Sequence, residues 1–92
     1  MKTLKVEVMG VSPPCPRCRQ TEENVKKAAS KLQTEGFMVE VSKLDISAKD
    51  TISRYGVVMS PAIAVNGVVK LVGKVPDPGF VERILRKELS VE

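Results

Sequence analysis

Apolar and polar residues alternate along this chain with two distinct periods, and the switches between them mark out its elements. Over residues 2–9 the period is two: Leu4, Val6 and Val8 fall on one side, Lys5 and Glu7 on the other. That is the pattern of a half-buried strand. Gly10 and the pair Pro13-Pro14 break it. From Pro16 to Thr34 the period lengthens to between three and four. Cys18, Thr21, Val25, Ala28, Ala29 and Leu32 share one face; Arg19, Gln20, Glu23, Lys27 and Lys31 fill the other. This predicts an amphipathic helix, with Pro16 in its first turn, where a missing N–H is harmless, and Gly36 just past its end.

Phe37 to Leu44 alternates again, Val39 and Val41 against Met38 and Glu40. A short helix is predicted from Ala48 to Tyr55, with Ser47 as its cap, Asp50 three residues on, and Gly56 closing it. Pro61–Val65 and Val68–Val72 are apolar runs joined by Asn66-Gly67. That dipeptide is the strongest short hairpin signal, because both turn positions need positive φ. Asp77 and Pro78 read as cap and first residue of a last helix. Its apolar face carries Phe80, Val81, Ile84 and Leu85, interrupted by Glu88, with Arg83, Arg86 and Lys87 facing away. The order is β-α-β-α-β-β-α. The first two strands, joined through a helix, should be parallel with a right-handed crossover, and the last two form an antiparallel hairpin. The expected fold class is α/β: a four-stranded mixed sheet with helices on both faces, one domain over residues 1–92.

Composition narrows the chemistry. At 92 residues and 42% hydrophobic, the chain supports one core; with no Trp, that core must be largely aliphatic. No apolar run approaches the ~20 residues a membrane helix needs, and the alternating N-terminus, with Glu7 in it, does not read as a signal peptide. A cytoplasmic protein with no membrane partner is expected, acting as a monomer. The net charge is +4, but bases and acids are interspersed and no aromatics interleave with the bases. Nucleic acid is therefore not an expected partner, and Lys26, Lys27 and Lys31 read as a solvated helix face. Two cysteines and no histidine are present. Both cysteines lie in one four-residue stretch, so a bond between them would close almost no loop and constrain almost nothing. Their use is chemical rather than architectural.

Cys15-Pro16-Arg17-Cys18 stands where the first strand gives way to the first helix. Cys15 falls at or just before the helix N-terminus, where unpaired N–H groups and the positive dipole end favour an anion. Such surroundings lower a thiol pKa from ~8.5 into a range of about 3.5–7.5. Arg17 adds a positive charge. Cys18, one turn on and on the apolar stripe, should be the more buried. Cys15 is assigned as the attacking thiolate and Cys18 as the thiol that resolves the mixed disulfide. The other use of two adjacent thiolates is to carry a soft ion of the Cu(I) type. A closed zinc site is not expected, since four ligands are usual, and exchange by the two thiols requires no cofactor. Met9 and Met59 flank the motifs as soft ligands or as adaptable core filler. Ser60-Pro61 enters the third strand, at a strand start or as a cis peptide.

Taken in order, Cys15-Pro16-Arg17-Cys18, Met59-Ser60-Pro61-Ala62, the Asn66-Gly67 hairpin and the closing helix resemble the thioredoxin superfamily, in size its small thioredoxin-like and glutaredoxin-like redox proteins of archaea and bacteria. Pro14 stands where typical thioredoxins carry Trp, and Arg17 where glutaredoxins often carry Tyr. The resemblance implies that Pro61 is cis and lies beside Cys15 and Cys18, and that the backbone at Ser60 pairs with a bound substrate segment. It implies as partners a protein disulfide substrate and an upstream reductase.

Overall fold

The structure, a computed structural model, describes residues 3–11 and 16–90. Its elements are β1 (Thr3–Gly10), α1 (Pro16–Thr34), β2 (Met38–Asp45), α2 (Lys49–Tyr55), β3 (Ala62–Val65), β4 (Val68–Val72) and α3 (Pro78–Ser90). The sheet runs β2-β1-β3-β4. β1 and β2 are parallel, with Leu4 opposite Val39 and Val6 opposite Val41; β3 is antiparallel to both β1 and β4.

Strand parity divides the side chains between two layers. Leu4, Val6, Val8, Ile63 and Val65 meet Val25, Ala28, Ala29 and Leu32 of α1 and Val81 and Leu85 of α3 in the main core. Full burial of each larger aliphatic side chain stabilises by about 1.5–3 kcal/mol. On the opposite face Met9, Ala62 and Ala64 are covered by Leu44, Ile46, Tyr55 and Val58. β3 is thus buried on both sides, which explains why its four residues read as one apolar run. The hairpin turn has positive φ at Asn66 and Gly67. It is clipped to β1 twice: Asn66 donates its N–H to the Lys5 carbonyl, and the Lys5 N–H donates to Asn66 Oδ1.

Two local expectations are corrected, and the hairpin, antiparallel as expected, carries an irregularity. Ser47 does not cap α2. Its N–H and its hydroxyl both donate to Asp45 Oδ1, and the cap position falls to Ala48, which offers no side-chain acceptor. The buried stripe of α3 is centred on Val81 and Leu85, so Phe80 lies at its margin, and Glu88 pairs with Lys70 of β4. Finally, β3 and β4 are not in simple register. Ile63 faces Leu71 and Ala64 faces Val69, which leaves Lys70 as the extra residue of a β-bulge, a device that re-aims a side chain.

Candidate active site

α1 begins at Pro16, whose ring supplies the φ a first helical residue needs. Arg17 is exposed in this turn. Cys18, its third residue, is 4% exposed and faces the end of β1. The approach there is close: a Cβ built on Gly10 would stand 2.9 Å from Cys18 Sγ and 3.1 Å from its Cβ. Glycine at that position is what lets the buried cysteine seat against the strand. Cys15 lies outside the described residues, so the structure is silent on it.

The other half of the site is a hydrogen-bonded chain. The Ser60–Pro61 peptide is cis, and Pro61 is fully buried. The Pro61 carbonyl accepts from the Gly73 N–H at 2.8 Å. The Gly73 carbonyl in turn accepts from the Arg17 guanidinium at 2.9 Å. Arg17, Gly73 and Pro61 are therefore brought together from the start of α1, the end of β4 and the entry to β3. Pro16 and Ser60 adjoin this chain through their neighbours. Met59 is 72% exposed, but Met9 is fully buried in the layer under α2, on the sheet face opposite Cys18. Met9 is thus core, and the reading of it as a soft ligand beside the cysteines is withdrawn.

Two further residues escape sequence reasoning, and a third lies on the face its strand pattern gives but with partners that the pattern does not show. Gly10 is one. Asn24, nearly buried in α1, donates to the Pro76 carbonyl at 2.8 Å and accepts from Gln20, tying the segment before α3 to the motif helix. A polar residue within reach of an apolar helical stripe was its only signal. The third is Glu7, half-buried on the α2 face. Both its oxygens accept from the Arg54 fork, at 3.0 and 3.1 Å, and the Tyr55 hydroxyl donates to it as well. Burial, seconded by that bond to Glu7, holds the Tyr55 phenol above its ordinary pKa. Glu7 is thus a structural ion-pair partner, on the sheet face away from Cys18.

The profile of the Thioredoxin domain family matches residues 4–86, and the chain belongs to that family. A probable thioredoxin of Methanothermobacter marburgensis is 39% identical over 71 residues, 76% of this chain and 79% of the relative. A thioredoxin of Methanocaldococcus jannaschii is 32% identical over 76 residues, 83% and 81% of the two chains. In fold, the chain is similar to the crystal structure of the germline-specific thioredoxin Deadhead from a fruit fly: TM-score 0.64 at 20% identity, covering 92% of this chain and 80% of that one. The four-stranded mixed sheet and its order of elements are those of the thioredoxin-like fold.

Proposed function

We propose that this protein is a thiol–disulfide oxidoreductase cycling Cys15 and Cys18 between dithiol and disulfide, with protein or small disulfides as substrates. The observation that carries the reading is Cys18, seated in the first turn of α1 against Gly10, three residues after Cys15, in a chain of the thioredoxin family. The Cys15 thiolate attacks one sulfur of a substrate disulfide; an S–S bond forms to Cys15, and the other substrate sulfur leaves as a thiolate that takes up a proton. Cys18 then gives up its proton, and its sulfur attacks Cys15 Sγ. The Cys15–Cys18 bond forms as the second substrate thiolate leaves. The substrate gains two electrons and two protons, and an upstream reductase returns them to the pair. Arg17 lends positive charge beside the thiolate, Pro16 starts the helix, and the backbone at Ser60, fixed by Pro61, offers a strand edge to the substrate.

The test is the reduction potential of the pair, measured by equilibration in thiol–disulfide buffers and counting alkylated thiols by mass. A reversible two-electron transition between about −120 and −270 mV is expected. Absence of a disulfide, or thiols that stay blocked until a chelator strips an ion, would overturn the reading in favour of a soft-metal carrier.

A further inference from the structure

We infer that the outer surface of α3 and the segment before it form a docking groove for an acidic stretch of polypeptide carrying a large apolar side chain. That the stretch belongs to a protein partner in disulfide exchange rests on the function proposed above; the groove itself does not.

Two hollows meet at Phe80. One, of about 300 Å³, has Leu71, Val75 and Pro76 beneath it and Lys74 and Arg83 beside it. The other, of about 360 Å³, lies between Lys70, Ile84 and Lys87. Phe80 is 39% exposed while the next residue, Val81, is buried, so an aromatic surface is presented between the hollows. The Arg83 guanidinium lies 6.0 Å from the ring centroid, within cation–π range.

The charge of this surface is lopsided. Lys74 and Arg83 make no ion pair among the described residues, whereas Lys31, Arg54 and Arg86 are answered by Glu82, Glu7 and Glu35. The hollows are lined by four bases, Lys70, Lys74, Arg83 and Lys87, and two acids: Asp77, which accepts the Phe80 N–H at 2.8 Å and keeps its charge, and Glu88, which is held by Lys70 at 3.4 Å. Arg17, bonded to the Gly73 carbonyl next to Lys74, extends the positive rim towards the cysteine motif. The larger cleft on the other face, of about 680 Å³, balances Lys5 and Arg54 against Glu7 and Glu40 and selects no charge. A single ring over an aliphatic floor, rather than a run of aromatics on which bases stack, favours a peptide over a nucleic acid.

The test uses the full chain and a fluorescent, cysteine-free peptide of glutamates around one Phe, so that binding is read independently of exchange chemistry. At low salt it should bind about tenfold or more tightly than the same peptide with Gln for Glu, and weaken as salt is added. K74E/R83E should cost at least about tenfold and F80A several-fold. K49E, on α2 across the sheet, should leave binding unchanged. In the wild-type protein the amide resonances that move should be those of residues 74–84. Equal affinity for the Gln peptide, an equal loss in K49E, tighter binding of a single-stranded RNA than of the peptide, or shifts centred elsewhere would overturn the groove. None of these outcomes bears on the reduction potential of the cysteine pair.

Discussion

At Gly10 one missing Cβ decides whether Cys18 can occupy its place. A G10A side chain would press on Cys18 Sγ at 2.9 Å and on Cys18 Cβ at 3.1 Å. Rotating the sulfur relieves the first contact and not the second. Overpacking of this kind costs about 1–3 kcal/mol, and the added methyl should push Cys18 outward. G10A should therefore lower the urea midpoint and speed alkylation of Cys18, with wild-type Cys18 reacting more slowly than Cys15. A stable G10A with unchanged Cys18 reactivity would show that the seat is not tight. The burial of Cys18 was legible in the sequence, because it falls on the stripe with Thr21, Val25 and Leu32. The need for Gly10 was not: it arises from a contact between a strand end and a helix turn, and periodicity carries no information about that. The same holds for Asn24, whose partner carbonyl on Pro76 lies 52 residues away. N24A would strand a buried carbonyl at a cost of about 1–3 kcal/mol, read as a lower urea midpoint.

At the scale of elements, the sequence offers two helix caps that look alike, and the structure separates them. Asp77 precedes Pro78 and Ser47 precedes Ala48, each an accepted cap type. Asp77 Oδ1 does accept the Phe80 N–H, and the Val81 N–H reaches the Asp77 carbonyl. Ser47 is drawn off by Asp45 two residues earlier, whose carboxylate takes both of its donors. Those two bonds hold the Asp45 carboxyl below its usual range. Short polar side chains turn on their own neighbours as readily as on a helix end, and pattern alone does not rank the two choices. The expectation is asymmetric: D77A destabilises by about 1 kcal/mol, whereas S47A stays within about 0.5 kcal/mol of wild type. Equal losses in thermal unfolding would contradict the assignment. The strands and α1 were legible to within a residue or so, because their patterns run for eight or more positions or, in the hairpin, are pinned by Asn66-Gly67. The bulge at Lys70 left no trace, since the run from Val68 to Val72 reads the same with or without it.

For the whole molecule, ionisation sets limits on both sides of neutrality. Glu22, Glu35 and Glu82 are all held below the ordinary carboxylate range, in each case chiefly by a hydrogen bond from a basic side chain: Lys26 for Glu22, Arg86 for the other two. Their folded-state pKa values are depressed, so they contribute stability above the unfolded value of 4.5 and lose it as pH falls below that. Tyr55 works in the opposite sense. Its phenol is raised above 10.0, first by burial and then by its bond to Glu7. As pH rises past 10.0 the unfolded chain releases this proton while the native state retains it. Ionisation therefore draws the equilibrium towards the unfolded chain. Urea midpoints should fall on going from pH 9 to above pH 10, and Y55F should fall less steeply over that interval. At neutral pH, however, Y55F should be less stable by about 1 kcal/mol, because the hydroxyl that donates to Glu7 and accepts from Arg54 is gone. The two curves should then converge as pH rises. Parallel curves would mean that Tyr55 keeps an ordinary affinity for its proton in the folded chain.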